Sequence, residues 1–316
     1  MATKSKQTIE TDPLAPFSAA TRRWFEASFE GPTPAQAGGW EAISSGDNAL
    51  ICAPTGSGKT LASFLWGIDK LAREPNLGTG VKLVYISPLK ALSYDIERNL
   101  RAPLHGIGAD ISVGLRTGDT PQKDRRAMAK TPPDILITTP ESLYLMMSSA
   151  VREILTGVEA VIVDEIHAVA QTKRGSHLSL TLERLDHLVR TGPTAAPQGI
   201  QRIGLSATQR PLERIARFLV GPKRKCKIVD AGTRKDLDIE IVVPVEDMSD
   251  PGAPAYPSET GTAQPSEIEP SAHVRSIWPA IYPELLRLVQ EHTSTIIFVN
   301  NRRAAERLAK RLNELA

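Results

Sequence analysis

Ala53-Pro54-Thr55-Gly56-Ser57-Gly58-Lys59-Thr60, the stretch APTGSGKT, follows the apolar run NALIC and opens a segment of helical period. Strand, glycine-rich loop and helix in that order form the context of a phosphate-binding loop. Gly56 and Gly58 let backbone N–H groups converge on phosphate oxygens, and the helix N-terminus adds the positive end of its dipole. Thr55, Gly56, Ser57, Gly58, Lys59 and Thr60 are therefore expected to hold a nucleotide. Lys59 would reach the β and γ phosphates, and the Thr60 hydroxyl would bind Mg²⁺. The loop departs from the GxxxxGK[ST] pattern in having Ala53 at its first position. A plain Gly-rich turn is the competing reading, and strand, GKT and helix together disfavour it.

A second stretch, VIVDEIHAVA from Val161 to Ala170, ends an apolar run on two adjacent carboxylates. Beside a phosphate loop, a carboxylate at a neighbouring strand end holds Mg²⁺ through its waters, and a second takes the proton from the attacking water. Asp164 is assigned to the metal and Glu165 to the base. His167 reads as a coupling residue to the turn Ser206-Ala207-Thr208. The sequence has no HExxH and no other clustered His/Cys set, which disfavours zinc.

The rest of the chain supplies the scaffold. Strand-length apolar runs (NALICAP, KLVYISP, ISVGLRT, DILITTP, AVIVDE, RIGLSAT, KIVDA, DIEIVVPV and TIIFVN) alternate with helical patterns. The helical segments are Lys59 to Arg73, Leu89 to Leu100, Glu141 to Met147, Lys173 to Arg190, Pro211 to Val220, Pro279 to His292 and Arg302 to Leu315. Nearly continuous Val/Ile/Leu strands interleaved with helices predict an α/β fold with a mostly parallel sheet covered on both faces. Ligands of such sheets bind beyond the carboxyl ends of the strands.

Three further strand ends belong to that edge. Ser87-Pro88 and Thr139-Pro140 each read as an N-cap followed by proline at the first helical position, giving two helix N-termini for anions. Lys90, Glu141 and, at a third strand end, Arg116 with Thr117 and Gly118 complete a row of expected contacts to a nucleic-acid backbone. Each of these taken alone is also compatible with an ordinary helix cap.

At 316 residues and 41% hydrophobic content, the chain is long enough to bury a full core. From Val245 to Val274 it carries six acids and no Lys or Arg, leaving an excess of eight positive charges on the remainder. A modestly basic body is compatible with a nucleic-acid partner and equally with an ordinary solvated surface. Cys52 and Cys226 are the two cysteines and suggest no disulfide framework. A polar N-terminus and the lack of a run of about 18 to 20 apolar residues predict a protein with no membrane partner, in the cytoplasm.

The expected organisation is a flexible N-terminus over 1–13, a nucleotide-binding domain over 14–244, an acidic Pro/Ser-rich linker over 245–273, and over 274–316 the opening of a second domain. One strand and two helices bury no core by themselves.

APTGSGKT, SPLKAL, RTGDT, TPESL, DEIH and LSAT stand in the order of the superfamily 2 helicase motifs. PTPAQ, residues 32–36, is similar to the Q motif. WFEASFEGPTPAQAGGW, SPLKALSYDIERNL, KRGSHLSLTLERL and STIIFVNNRRAAERLAKRLNE resemble the large helicase-related (Lhr) family of DExH-box helicases. The resemblance implies RecA-like domains, ATP and Mg²⁺ as cofactors, and nucleic-acid-dependent ATP hydrolysis. It also implies 3′-to-5′ movement on single-stranded DNA, unwinding of DNA or RNA:DNA hybrids, and a role in DNA repair. By the same resemblance Gln36 reads adenine, and Ser206 and Thr208 couple nucleotide to strand. The chain ends within the first motif of the second RecA-like domain, so it is expected to be the N-terminal portion of a longer helicase. Arginines supplied later in such enzymes contribute about 10³ to 10⁵ in turnover, and a polypeptide without them is expected to be nearly inactive alone. A truncated module that binds ATP and nucleic acid without motor activity, or a P-loop ATPase that remodels proteins, are the alternatives.

Overall fold

The computed structural model describes residues 12–74, 78, 80–193, 196–207, 210–232, 238–243 and 277–316, with the backbone alone for Lys90, Ala91 and Pro279. The chain forms two compact units, Met1–Arg234 and Lys235–Ala316. In the first, the strands are β1 Ala49–Cys52, β2 Leu83–Ile86, β3 Val113–Arg116, β4 Ile135–Thr138, β5 Ala160–Val163, β6 Gln201–Ser206 and β7 Lys227–Asp230. They pair in the order β3-β4-β2-β5-β6-β1-β7, and each pairing is parallel. Its helices are α1 Ala19–Ser28, α2 Pro34–Ser44, α3 Lys59–Arg73, α4 Lys90–Ile107, α5 Gln122–Lys130, α6 Pro140–Met147, α7 Ile166–Ala170, α8 Lys173–Thr191 and α9 Leu212–Val220.

The unbroken apolar character of the central strands has a direct consequence. Successive side chains of a strand point to opposite faces, so each strand feeds two cores. Leu50 and Cys52 of β1, Val84 and Ile86 of β2, and Val161 and Val163 of β5 pack on one face with Leu143, Leu178, Leu182 and Leu219 from α6, α8 and α9. Ala49, Ile51, Leu83, Tyr85, Ala160 and Ile162 pack on the other with Phe25, Trp40, Phe64 and Ile68 from α1, α2 and α3. β3 is only half-buried along its length, as an edge strand should be.

Two glycines let α2 lie close to the sheet. A Cβ on Gly39 would come 2.7 Å from Ile51 Cδ1, and one on Gly38 would come 2.8 Å from Val229 Cγ1. Trp40 Nε1 then donates to the Ala62 carbonyl at 2.9 Å, tying α2 to α3, the helix that begins at Lys59.

Helices α1, α2, α5 and α7 lie outside the helical segments read from the sequence, and the structure departs from that reading in three further places. Two of the runs read as strands, DIEIVVPV and TIIFVN, pair with nothing among the described residues: 238–243 and 295–299 join no ladder. Ile241 and Phe298 are each 89% exposed, because a strand needs a neighbour to bury its faces. In the second unit α10 Trp278–Glu291 and α11 Arg302–Leu315 contact each other. The third departure is at Ser87, which caps no helix. Its hydroxyl accepts from Leu89 N–H at 3.3 Å in a local turn, and α4 starts at Lys90 with no side-chain cap. The acidic segment 245–273 lies outside the described residues.

Gly39→Ala tests the close approach of α2. Helix propensity alone favours alanine by about 1 kcal/mol, whereas overpacking a buried contact costs about 1–3 kcal/mol. Net destabilisation is expected in urea unfolding, with part of it recovered when Ile51→Val removes the Cδ1 methyl. A Gly39→Ala protein more stable than the parent would contradict this packing.

Candidate nucleotide site and nucleic-acid edge

The parallel ladder runs past the last residue of several strands and draws their ends together. Ala53 N–H donates to the Ser206 carbonyl at 3.1 Å, Asp164 N–H to the Ile86 carbonyl at 2.9 Å and Ser87 N–H to the Thr138 carbonyl at 3.0 Å. The Thr138 hydroxyl donates to the Arg116 carbonyl at 2.8 Å. One edge of the sheet thus carries, in spatial order, the Arg116 loop, Thr139, Ser87, the Asp164-Glu165 pair, Ser206 and the Ala53–Thr60 loop.

In that loop Gly56 and Gly58 adopt φ of 81° and 78°, the left-handed conformation that glycine supplies without strain. Gly58 is doubly constrained, since a Cβ there would stand 2.6 Å from Gln36 Nε2. Lys59 is buried and its ammonium donates to the carbonyls of Ala53 at 2.7 Å and Pro54 at 2.8 Å. Burial holds its pKa below the ordinary lysine value, against the pull of Glu165 and Asp164. The Ser57 hydroxyl is buried with no hydrogen-bond partner among the described residues. A lysine and a spare hydroxyl inside a ring of backbone N–H groups suit an oxyanion.

Thr33 and Gln36 form a capping box at the start of α2. The Thr33 hydroxyl also donates to the Ser57 carbonyl at 2.7 Å, fastening this turn to the phosphate loop. Gln36 is buried, and its Oε1 accepts the Thr33 N–H at 2.9 Å.

Asp164 ends β5 as a buried carboxylate. Tyr85 of the adjacent β2 donates its hydroxyl to Oδ2, and the Glu165 N–H donates to Oδ1 at 2.8 Å. Burial raises the Asp164 pKa in spite of these bonds, and burial followed by the Asp164 charge pushes the Tyr85 phenol well up. Oxygen donors from Thr60 and a single carboxylate suit Mg²⁺, which keeps its waters and shares phosphate oxygens. No group of three or more His, Cys, Asp or Glu that could form an all-protein metal cage occurs among the described residues.

Glu165 sits at φ 45°, a conformation a non-glycine residue adopts only under local constraint. It opens α7 and stands 3.3 Å from His167 Nε2. His167 Nδ1 accepts the Ala207 N–H at 3.2 Å and lies 3.4 Å from the Ser206 hydroxyl. A ring nitrogen that accepts carries no proton, so the neutral tautomer here bears its hydrogen on Nε2, facing Glu165. His167 therefore joins the carboxylate to the end of β6. Thr208 lies outside the described residues.

Along the other half of the edge, Thr139 caps α6, accepting the Ser142 N–H at 3.4 Å. Ser87, Thr117 and Thr139 are all buried, so their hydroxyls support the loops from below, while Gly118 and Glu141 are exposed. The side chain of Lys90 lies outside the described residues. Two arginines here, Arg125 and Arg174, escaped the sequence reading, and both stand beside residues that it named. Arg125 of α5 donates to the carbonyls of Thr117 at 3.2 Å and Gly118 at 2.7 Å. Arg116 lies near it, its pKa held down by burial and by the Arg125 charge, and Arg116 Nη1 and Arg125 Nε are buried without partners among the described residues. Arg174 reaches from α8 to Pro88 and Glu141. Tyr85 and Arg174 carry no local signal, whereas the Thr33–Gln36 capping box was readable from its T-x-x-Q spacing.

A parallel sheet with a phosphate loop at its carboxyl edge and an Asp-Glu pair two strands away defines a RecA-like P-loop NTPase domain. The sequence matches the DEAD/DEAH box helicase family over residues 33–215. The chain belongs to that family. It is 46% identical over 316 residues to the Lhr helicase/uracil glycosylase of Escherichia coli, covering 95% of this chain and 20% of that protein. With the ATP-dependent helicase Lhr-Core of Methanocaldococcus jannaschii the identity is 42%, covering 93% and 33%. The structure of Mycobacterium smegmatis helicase Lhr bound to ssDNA and AMP-PNP superposes with a TM-score of 0.75 at 51% identity, over 96% of this chain and 36% of that one. The chain thus spans about a fifth to a third of the length of these curated relatives.

The raised pKa of Asp164 carries a stability consequence. Its native carboxyl holds a proton to higher pH than the unfolded one, so native stability falls as pH rises through the interval between the two values. Asp164→Asn removes the charge and keeps a polar side chain beside Tyr85. Without nucleotide at pH 7 it is expected to stabilise the fold by about 0.5–2 kcal/mol, a cost that natural active sites carry. Thermal unfolding followed by circular dichroism checks this, and a lower Tm for Asp164→Asn would contradict it.

Proposed function

We propose that the chain is the N-terminal, ATP-binding portion of an Lhr-like superfamily 2 helicase that translocates on single-stranded DNA and unwinds DNA or RNA:DNA hybrids. A cytoplasmic setting and a role in DNA repair belong to the same proposal. The observation that carries it is the division of one sheet edge, with nucleotide chemistry on β5, β6 and β1 and backbone-binding loops on β3, β4 and β2. In domain terms the reading is a RecA-like domain over 14–244, a linker over 245–273 and the start of a second RecA-like domain over 274–316. Among the described residues Cys52 and Cys226 are free, and no helix is long and apolar enough to cross a membrane.

In the mechanism, the N–H groups of Thr55 to Thr60 and the Lys59 ammonium hold the β and γ phosphates, with Ser57 as an added donor. Gln36, packed against Gly58, reads the adenine edge. Mg²⁺, held by Thr60 and Asp164, would neutralise charge on the β and γ oxygens. Glu165, at the tip of a strained turn, accepts the proton of the attacking water. Its contact with His167 passes the state of the γ-phosphate site to Ser206 and Ala207 at the end of β6, with Thr208 next along the chain. Ser87, Lys90, Arg116, Thr117, Gly118, Thr139 and Glu141 shape the loops that meet the strand. Contacts of this kind read backbone and not base sequence.

Steady-state ATP hydrolysis by the 316-residue polypeptide, with and without single-stranded DNA, tests the assignment. Lys59→Ala is expected to abolish nucleotide binding. Glu165→Gln should bind nucleotide as before and lose the residual turnover of the parent chain. Nucleotide held through Lys59 with turnover near background is expected of an N-terminal portion alone, and robust turnover stimulated by single-stranded DNA would contradict that expectation.

A further inference from the structure

Arg174 occupies the first turn of α8, where a cation works against the helix dipole. Something outside the helix must compensate, and the side chain shows what. Its Nε and Nη2 grip both carboxylate oxygens of Glu141 in a fork, the second at 2.9 Å, and its Nη1 donates to the Pro88 carbonyl at 2.7 Å. Each of the three guanidinium nitrogens is therefore engaged. The guanidinium holds the Glu141 carboxyl below the usual range, and Glu141 in turn raises the arginine.

The partners of Arg174 belong to different loops of one edge. Pro88 follows β2 and Glu141 lies in the first turn of α6, just after β4, and β2 and β4 are hydrogen-bonded neighbours. An exposed ion pair on its own contributes little. Here a rigid fork spans three chain segments and fixes the separation between a turn and a helix N-terminus. It also neutralises a carboxylate that would otherwise repel a phosphate arriving at α6.

We infer that Arg174 is a positioning residue for single-stranded nucleic acid, a brace that sets the spacing of the Ser87–Leu89 turn and the Thr139–Glu141 helix start so that both meet successive phosphates of one strand. The inference rests on the nucleic-acid reading of this edge proposed above. Lysine cannot replace it, because a point charge does not fork.

The test is fluorescence anisotropy of labelled oligothymidylate of about 12 nucleotides, titrated with the 316-residue chain at saturating AMP-PNP over a range of salt concentrations. Arg174→Ala, Arg174→Lys and Glu141→Ala are each expected to weaken binding by about tenfold, and the double variant no further than either single one, since the residues act as one unit. The affinity of the Arg174 variants for AMP-PNP and the slope of log K against log salt should match the parent, because no phosphate contact is removed. A slope reduced by about one in Arg174→Ala would make Arg174 a phosphate ligand itself and overturn the brace. Tighter binding in Glu141→Ala would reduce the pair to charge repulsion, and parent-like binding in Arg174→Ala to a surface ion pair. If the parent chain binds AMP-PNP but no oligonucleotide, the nucleic-acid reading fails and the brace with it, an outcome distinct from the other three.

Discussion

The site depends on backbone hydrogen bonds more than on any side chain. Parallel pairing continues one residue beyond β1, β2 and β5, so that Ala53, Ser87 and Asp164 are each fixed by an N–H bond to a neighbouring strand. A parallel ladder of this kind lets the ends of strands far apart in sequence stand side by side, and it holds them rigidly because the central strands β1, β2, β4, β5 and β6 are buried. Lys59 of the phosphate loop and Asp164 lie 105 residues apart in the chain, and β1 and β5, which carry them, meet only through β6 between them.

The chemistry is bought with local instability. A buried lysine, a buried carboxylate opposed by a tyrosine, an unpartnered serine hydroxyl and a left-handed glutamate are all unfavourable in isolation. They persist because two large apolar cores flank the strands that present them. Lys59 shows the balance in one residue: burial lowers its pKa, and the carbonyls of Ala53 and Pro54 with the nearby charges of Glu165 and Asp164 keep its ammonium satisfied.

Much of this was legible in the residues. The seven strands of the sheet all fall on runs chosen for apolar character, and for the central ones the reason is that a strand buried on both faces needs no polar alternation. Asp164, Glu165 and the loop glycines stood out for the same reason, as polar or flexible residues ending apolar strands. Ser87 misled, since Ser-Pro looks like a helix start, and here the serine closes a turn two residues before the helix begins. DIEIVVPV and TIIFVN have the composition of strands, yet a strand is completed by its neighbour, and 238–243 and 295–299 find none among the described residues. The partners of Asp164 and Glu141, Tyr85 and Arg174, are 79 and 33 residues away in sequence, beyond the reach of any local pattern.

The sequence by itself determined the class of fold, the phosphate loop and the two carboxylates, because each rests on local periodicity or on a short motif whose geometry is built from adjacent residues. The tertiary structure decided which strand lies beside which, and hence that the candidate nucleotide residues stand on one half of the edge and the proposed backbone-binding loops on the other. It also decided the tautomer of His167, the clasp of Thr33 on Ser57 and the fork of Arg174. These depend on side chains brought together by strand order, and strand order follows from how the helices cover both faces of the sheet, a property of the whole domain.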